Sequence, residues 1–215
     1  MYLIDETYFI KNLVVPDSAP SLDIPNNEQS LEVYIDEYAR QLLQKSLGHI
    51  LFAELDGEVE NGELKDTAPT KWKDLVNGKT YSYLGEDYEW KGLLFTEGAF
   101  KGSVLAYYVF LKWHEDQLST MSSMGEVKGN AVNSTAVNST AKHVKLWNKY
   151  MEMYQGLKPS SYTFSQKNGV DFHDYFNGNN GGYVSLLEFI GHHEDDYPDA
   201  AMTPEFEGFK NSLGL

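Results

Sequence analysis

The sequence contains no cysteine. Neither disulfides nor thiolate chemistry can contribute, a secreted disulfide scaffold is excluded, and stability has to come from packing or association. Basic residues are also scarce: 17 Lys and Arg face 32 Asp and Glu, for a formal net charge of -15. Gripping a phosphate backbone takes a concentrated basic face, so nucleic-acid binding is not expected. A negative surface repels DNA, which suits a wall past which DNA slides, although in most acidic proteins the charge only maintains solubility. No stretch approaches the ~20 apolar residues needed to cross a bilayer. The opening MYLIDETYFIKNL has Asp5 and Glu6 where a signal peptide needs a basic start and an unbroken apolar core. The expectation is a protein made and assembled in the cytoplasm, with no membrane partner. The sequons at Asn133 and Asn138 then carry little weight.

Motifs of catalysis are missing as well. There is no G-x-S-x-G, no GxxxxGK[ST] and no GxGxxG. The run GHHEDDYPD offers His192, His193, Glu194 and Asp195 as metal ligands, but adjacent residues point in different directions and no HExxH spacing occurs, so it reads as a solvated, acidic helix end. Trp113-His114-Glu115-Asp116 contains a possible acid–base pair and reads as an exposed helix face. Gly98 and Gly102 read as a tight start to the helix that follows. A non-enzyme without catalytic residues or cofactor is expected.

What the chain does have is aromatic side chains, Tyr 15 and Trp 4 among them, which suit surfaces buried between partners or simply a core. It also has helical periodicity. Leu31, Tyr34, Ile35, Tyr38 and Leu42 recur at three- and four-residue steps until Gly48, and His49 to Leu55 reads as a second helical stretch. DGEVENGELKDTAP follows as a polar loop. Trp72, Leu75 and Val76 make a short helix, and TYSY and YEWKGL flank a turn at Gly85 to give a β-hairpin near 78–95 that has to dock on something. Residues 99 to 118 are apolar over more than one face, as a central helix is. AVNSTAVNST, residues 131 to 140, repeats a five-residue unit within an exposed loop near 119–140. Ser139 or Thr140 is placed to cap a helix lined by Val144, Trp147, Tyr150, Met151 and Tyr154, which Gly156 ends.

NGNNGGYVSLLEFI, residues 177 to 190, fits the frame of a calcium loop, with Asn177, Asn179 and Glu188 at ligand positions, yet only Glu188 is charged. Ser185 with Glu188 three residues later, ahead of Leu186, Leu187 and Ile190, also makes a capping box, which uses both residues without metal. The cap is the preferred reading.

The order EVYIDEYARQLLQKSLG, an LFxxL turn, KWKDLVNGKTY, EWKGL, SVLAYYVFLKW, a polar loop and KHVKLWNKYMEMY resembles the head-tail connector, or adaptor, proteins of tailed bacteriophages. Within them it is most similar to a group from phages and prophages of Bacteroidetes, including crAss-like phages. The resemblance spans residues 1 to 156, with SLLEFI and a later YP also similar. It implies a mainly α protein: a small helical bundle of connector-adaptor type with a β-hairpin insertion and extended N- and C-terminal arms. It further implies a structural virion subunit of a neck or tail ring, commonly twelvefold, with copies of itself, the portal and neighbouring ring or tail proteins as partners, and DNA passing without specific binding.

The expected organisation is an N-terminal arm (1–28, punctuated by Pro16, Pro20 and Pro25), a helical core (29–156) and a C-terminal arm (157–215) with one short helix. Aromatic residues outside the periodic helices, Tyr2, Tyr8, Phe9, Tyr183, Phe189, Tyr197 and Phe206, are the expected contacts to neighbours. The alternative is a cytoplasmic interaction module with a degenerate calcium loop at 177–188.

Overall fold

The longest helical run passes through a π-helical turn and a break at a glycine. In the computed structural model, which describes residues 2–15, 31–117, 120–122, 125–127, 140–156 and 184–205, α1 (Leu31–Tyr34) passes through a π-helical turn, Ile35–Ala39, into α2 (Arg40–Gly57). Gly48 interrupts α2 at φ 81°, ψ 173°, a conformation open essentially to glycine alone. The expected break at Gly48 is therefore present, and the helix resumes directly after it. Ahead of the break, the carbonyls of Lys45 and Ser46 lose their helical donors. The amides of Thr203 and Met202 supply them, at 3.0 and 2.9 Å.

Central helix α4 (Val104–Gln117) is surrounded on most sides. Val104, Leu105, Ala106, Tyr108, Val109, Phe110 and Leu111 are all buried, as the wide apolar arc requires. Ser103 starts it, its hydroxyl accepting from the Leu105 amide at 3.1 Å. Helix α5 (Thr140–Gln155) packs along α4 through Leu146, Tyr150, Met151, Met153 and Tyr154, and Gly156 ends it at φ 74°. Around α4 the described architecture is mainly α.

Short antiparallel ribbons decorate the helices. β1 (Val59–Glu60) and β2 (Glu63–Leu64) pair across Asn61-Gly62, within the stretch expected to be an irregular loop. Asn-Gly is the turn that two positive φ angles favour, here 55° and 84°. β3 (Lys79–Tyr83) and β4 (Glu86–Trp90) form the expected hairpin. α3 (Thr70–Asn77) runs into it, and its last carbonyls are capped from the segment after β4: Leu93 and Leu94 amides reach the Leu75 and Val76 oxygens at 3.0 and 2.9 Å. Trp90 Nε1 also donates to the Leu75 oxygen, at 2.8 Å. The two backbones lie so close that a Cβ on Gly78 would sit 2.6 Å from the Trp90 oxygen. A further hairpin, β5 (Phe95–Glu97) with β6 (Phe100–Gly102), corrects the helical reading of this stretch: Gly98 is its turn, and the Phe95 ring covers Gly102 where any side chain would collide. β7 (Thr120–Ser122) pairs with β8 (Gly125–Val127) beyond α4. Apart from Thr140, which begins α5, the AVNST repeat lies outside the described residues.

The described parts of both expected arms are integral to the core. Residues 2–15 insert Tyr2, Leu3, Ile4, Phe9 and Leu13, each under 9% exposed. In the C-terminal part, α6 (Leu186–His192) and the residues flanking it contribute Val184, Leu186, Leu187, Phe189, Ile190 and Tyr197. Each such side chain removes about 1.5–3 kcal/mol of apolar surface from water. These apolar residues sit in single turns and coil too short to show periodicity, which is why they read as arms. Among the described residues, no helix is long and apolar enough to cross a membrane.

Candidate functional site

The aromatic residues expected to await a neighbour are largely covered by their own chain, and the reason differs from one to the next. Tyr2 packs on Phe52 with ring centres 6.4 Å apart, and the Arg40 guanidinium lies 4.1 Å over the Tyr2 ring while bonding Asp56. Burial, then the Asp56 carboxylate, raise the Tyr2 phenol above its usual range, against the pull of Arg40. Phe9 is buried and Tyr8 is half-buried under Lys101. Phe189 stacks on Trp90 at 5.5 Å and meets Tyr81 edge-on at 5.8 Å. Tyr197 lies against Trp72 and donates its hydroxyl to the Lys71 oxygen at 2.5 Å. Tyr2, Phe9, Phe189 and Tyr197 thus serve the monomer's core rather than standing open on an arm. Tyr183 and Phe206 lie outside the described residues.

Helix α6 bears on the calcium-loop alternative. Ser185, wholly buried, accepts from the Glu188 amide at 3.4 Å, so the hydroxyl half of the capping box is formed. Asn177 and Asn179 lie outside the described residues, and among those described no three His, Asp or Glu converge as metal ligands. Of the GHHEDDYPD run, Glu194 and Asp195 are exposed as a solvated helix end would have them, whereas the two histidines are packed. His192 stacks on Tyr83 at 4.0 Å and its Nδ1 bonds the Tyr81 hydroxyl at 2.8 Å; His193 Nδ1 donates to the Phe189 oxygen at 2.9 Å.

Ionisable groups also gather where α4, α5 and the C-terminal coil meet. Tyr38, Tyr108, Tyr150 and Tyr154 follow one another with ring centres 5.3–6.4 Å apart. Tyr108 donates to Gln41 at 2.6 Å, Tyr154 to the Thr203 oxygen at 2.7 Å, and Tyr150 to Glu205 at 3.3 Å; Glu205 also receives Lys45 at 2.5 Å. Burial pushes Tyr108 up to about 12 and raises Tyr150 and Tyr154 further, with the Glu205 carboxylate adding to each. As neutral phenols these tyrosines donate hydrogen bonds to Gln41, Glu205 and the Thr203 oxygen. His114, expected on an exposed face, turns toward the start of α5 and meets His143.

Among the described residues, the most exposed large apolar side chain stands at the far end of the β3–β4 ribbon. Its two-residue turn places Leu84 at φ 51° and Gly85 at φ 89°, and Leu84 is 89% exposed, above Ile50 at 74% and Val14 at 52%. Asparagine or aspartate suits the first position of such a turn, because their short polar side chains tolerate a positive φ. A leucine there is unfavourable for the backbone and for the solvent at once. The signal was in the sequence, as YSYLGEDYEW: a Leu-Gly where the neighbouring ribbon of the same chain has Asn-Gly. Comparison of the chain with protein-family models, curated protein sequences and solved structures found no match.

Proposed function

We propose that this chain is a structural virion protein, the subunit of a neck or tail ring that joins the portal to tail components of a tailed bacteriophage. The observation that carries the reading is the leucine-tipped ribbon. Its base is fixed by the Trp90 bond to α3, by the contact at Gly78 and by the stack of Trp90 on Phe189. Its tip offers an apolar side chain that the described residues leave uncovered. A stiff ribbon of this kind loses little conformational freedom on docking, so most of the roughly 1.5–3 kcal/mol from burying one leucine is kept per contact. In a closed ring every subunit repeats the contact, and small terms add. The order of helices and hairpin that resembles the adaptor proteins supports the same reading. So does a net charge of -15, which keeps a channel wall from holding DNA.

Leu84→Asn separates assembly from folding. The substitution puts a residue suited to positive φ on a site that is 89% exposed, so the melting temperature is expected to hold or rise. Association with copies or with portal, measured by mass, is expected to weaken at least tenfold. Wild-type protein that stays monomeric both alone and with portal overturns the ring. Leu84→Asn that assembles like wild type removes the ribbon tip from the contact.

A further inference from the structure

Two histidines, one at the end of α4 and one at the start of α5, are brought nitrogen to nitrogen. His114 lies in the last turn of α4 and His143 in the first turn of α5, with Nδ1 atoms 3.3 Å apart and ring centres 5.3 Å apart. We propose that His114 and His143 form a two-histidine site for a divalent transition ion, zinc in the first instance, which clips the end of α4 to the start of α5.

The distances carry the assignment. Two imidazole nitrogens bound to one tetrahedral zinc at about 2.05 Å stand about 3.3–3.4 Å apart, with ring centres about 5.2 Å apart. Both separations match. The same 3.3 Å lies at the long end of hydrogen-bond reach, so without metal one imidazole donates to the other. Ligation needs neutral imidazoles, and burial lowers the pKa of both rings, ahead of the smaller effects of neighbouring charges.

Among the described residues, the charges facing the pair are Lys112 and Glu115 from α4 and Lys142 from α5. Lys112 and Glu115 neutralise each other at 2.9 Å, and Lys142 lies over the Phe110 ring at 5.3 Å. Among the described residues this leaves Lys142 as a neighbouring cation, which works against a dication, and water would fill the ion's remaining positions. Binding requires both rings to carry their proton on Nε2 and turn both Nδ1 lone pairs to the ion. Without metal, a bonded pair keeps one proton between the two Nδ1 atoms. Zinc moves that proton to Nε2 without releasing it from the protein.

The experiment is titration of the intact chain with zinc alone, and with cobalt as a spectroscopic substitute. One equivalent is expected to bind, with a melting temperature raised by roughly 5–10 °C at a hundredfold excess over Kd. His114→Gln and His143→Gln should each abolish the rise. Imidazole 15N spectra of the wild type give the readout that needs no variant to fold: of the six histidines, His114 and His143 alone should shift, both to the Nε2–H tautomer. No saturable heat and no shift overturns the proposal and leaves a histidine–histidine hydrogen bond. Shifts confined to other histidines overturn it equally.

Discussion

The two ends of the described chain read alike in the sequence and dock by different physics. Residues 2–15 act as an apolar plug: Tyr2, Ile4, Phe9 and Leu13 go into the core, while a backbone bond from Leu3 to Gly62 at 2.8 Å ties the segment to the β1–β2 turn. Residues 184–205 begin in the same way, with Phe189 and Tyr197, but finish as a strap of hydrogen bonds. Met202 and Thr203 complete the helix that Gly48 breaks, and the Glu205 amide donates to Gln155 at 2.8 Å. One end fills space, and the other also supplies donors that the helix lacks. An extended, Pro- or Gly-flanked segment can therefore be core at its own chain's expense without showing any periodicity.

Substitutions can break that contrast. The largest effect is expected from Phe189→Ala, which empties a fully buried site between Trp90, Tyr81 and Tyr197. A loss of about 3–5 kcal/mol, and of roughly 10 °C in melting temperature, should appear in thermal and denaturant unfolding. Phe9→Ala should cost about 3 kcal/mol at the other end and act more locally, releasing the Leu3 amide to hydrogen exchange before the core opens. An equal, global loss of protection from both variants would erase the distinction between plug and strap.

Gly48→Ala tests the strap itself. The new Cβ would lie 3.3 Å from that of Ala201, in a backbone conformation closed to alanine. About 2 kcal/mol should be lost, with faster exchange at Met202 and Thr203. Ser185→Ala removes a cap and should cost about 1 kcal/mol, read from the shift in denaturant midpoint. The smallest effect spares both ends. His114 and His143 have folded pKa values below the ordinary 6.5, so the unfolded chain takes up protons first as pH falls. Their contribution is complete above about pH 6.5 and is lost below it. Replacing both by glutamine should flatten the stability profile between pH 7 and 5 without changing protection at either end.

Long elements were legible where the period was long enough to count. Leu31 to Leu42, the stripe of α4 and the Val144–Tyr154 face all declare themselves, as do the Gly48 break, the Gly85 turn and the Ser185 cap. The β5–β6 ribbon was not legible, because three-residue strands carry no alternation and Gly98 and Gly102 resemble a helix start as much as a turn with a tight contact. The ribbon tip was half legible: the turn followed from Gly85, but the exposure of Leu84 depends on how far the ribbon stands from the body. His143 gave no signal at all, since its partner lies 29 residues away on another helix.

Sequence alone determined what depends on neighbours along the chain: helical stripes, the glycines that interrupt them, the helix cap, and the charge that disfavours a grip on DNA. Tertiary structure decided what depends on neighbours in space. It drew Tyr2, Phe9, Phe189 and Tyr197 inward, faced His114 with His143, and left Leu84 outside. Burial of an isolated aromatic side chain is set by the shape of the gap it meets, and a gap between distant segments has no representation in local order.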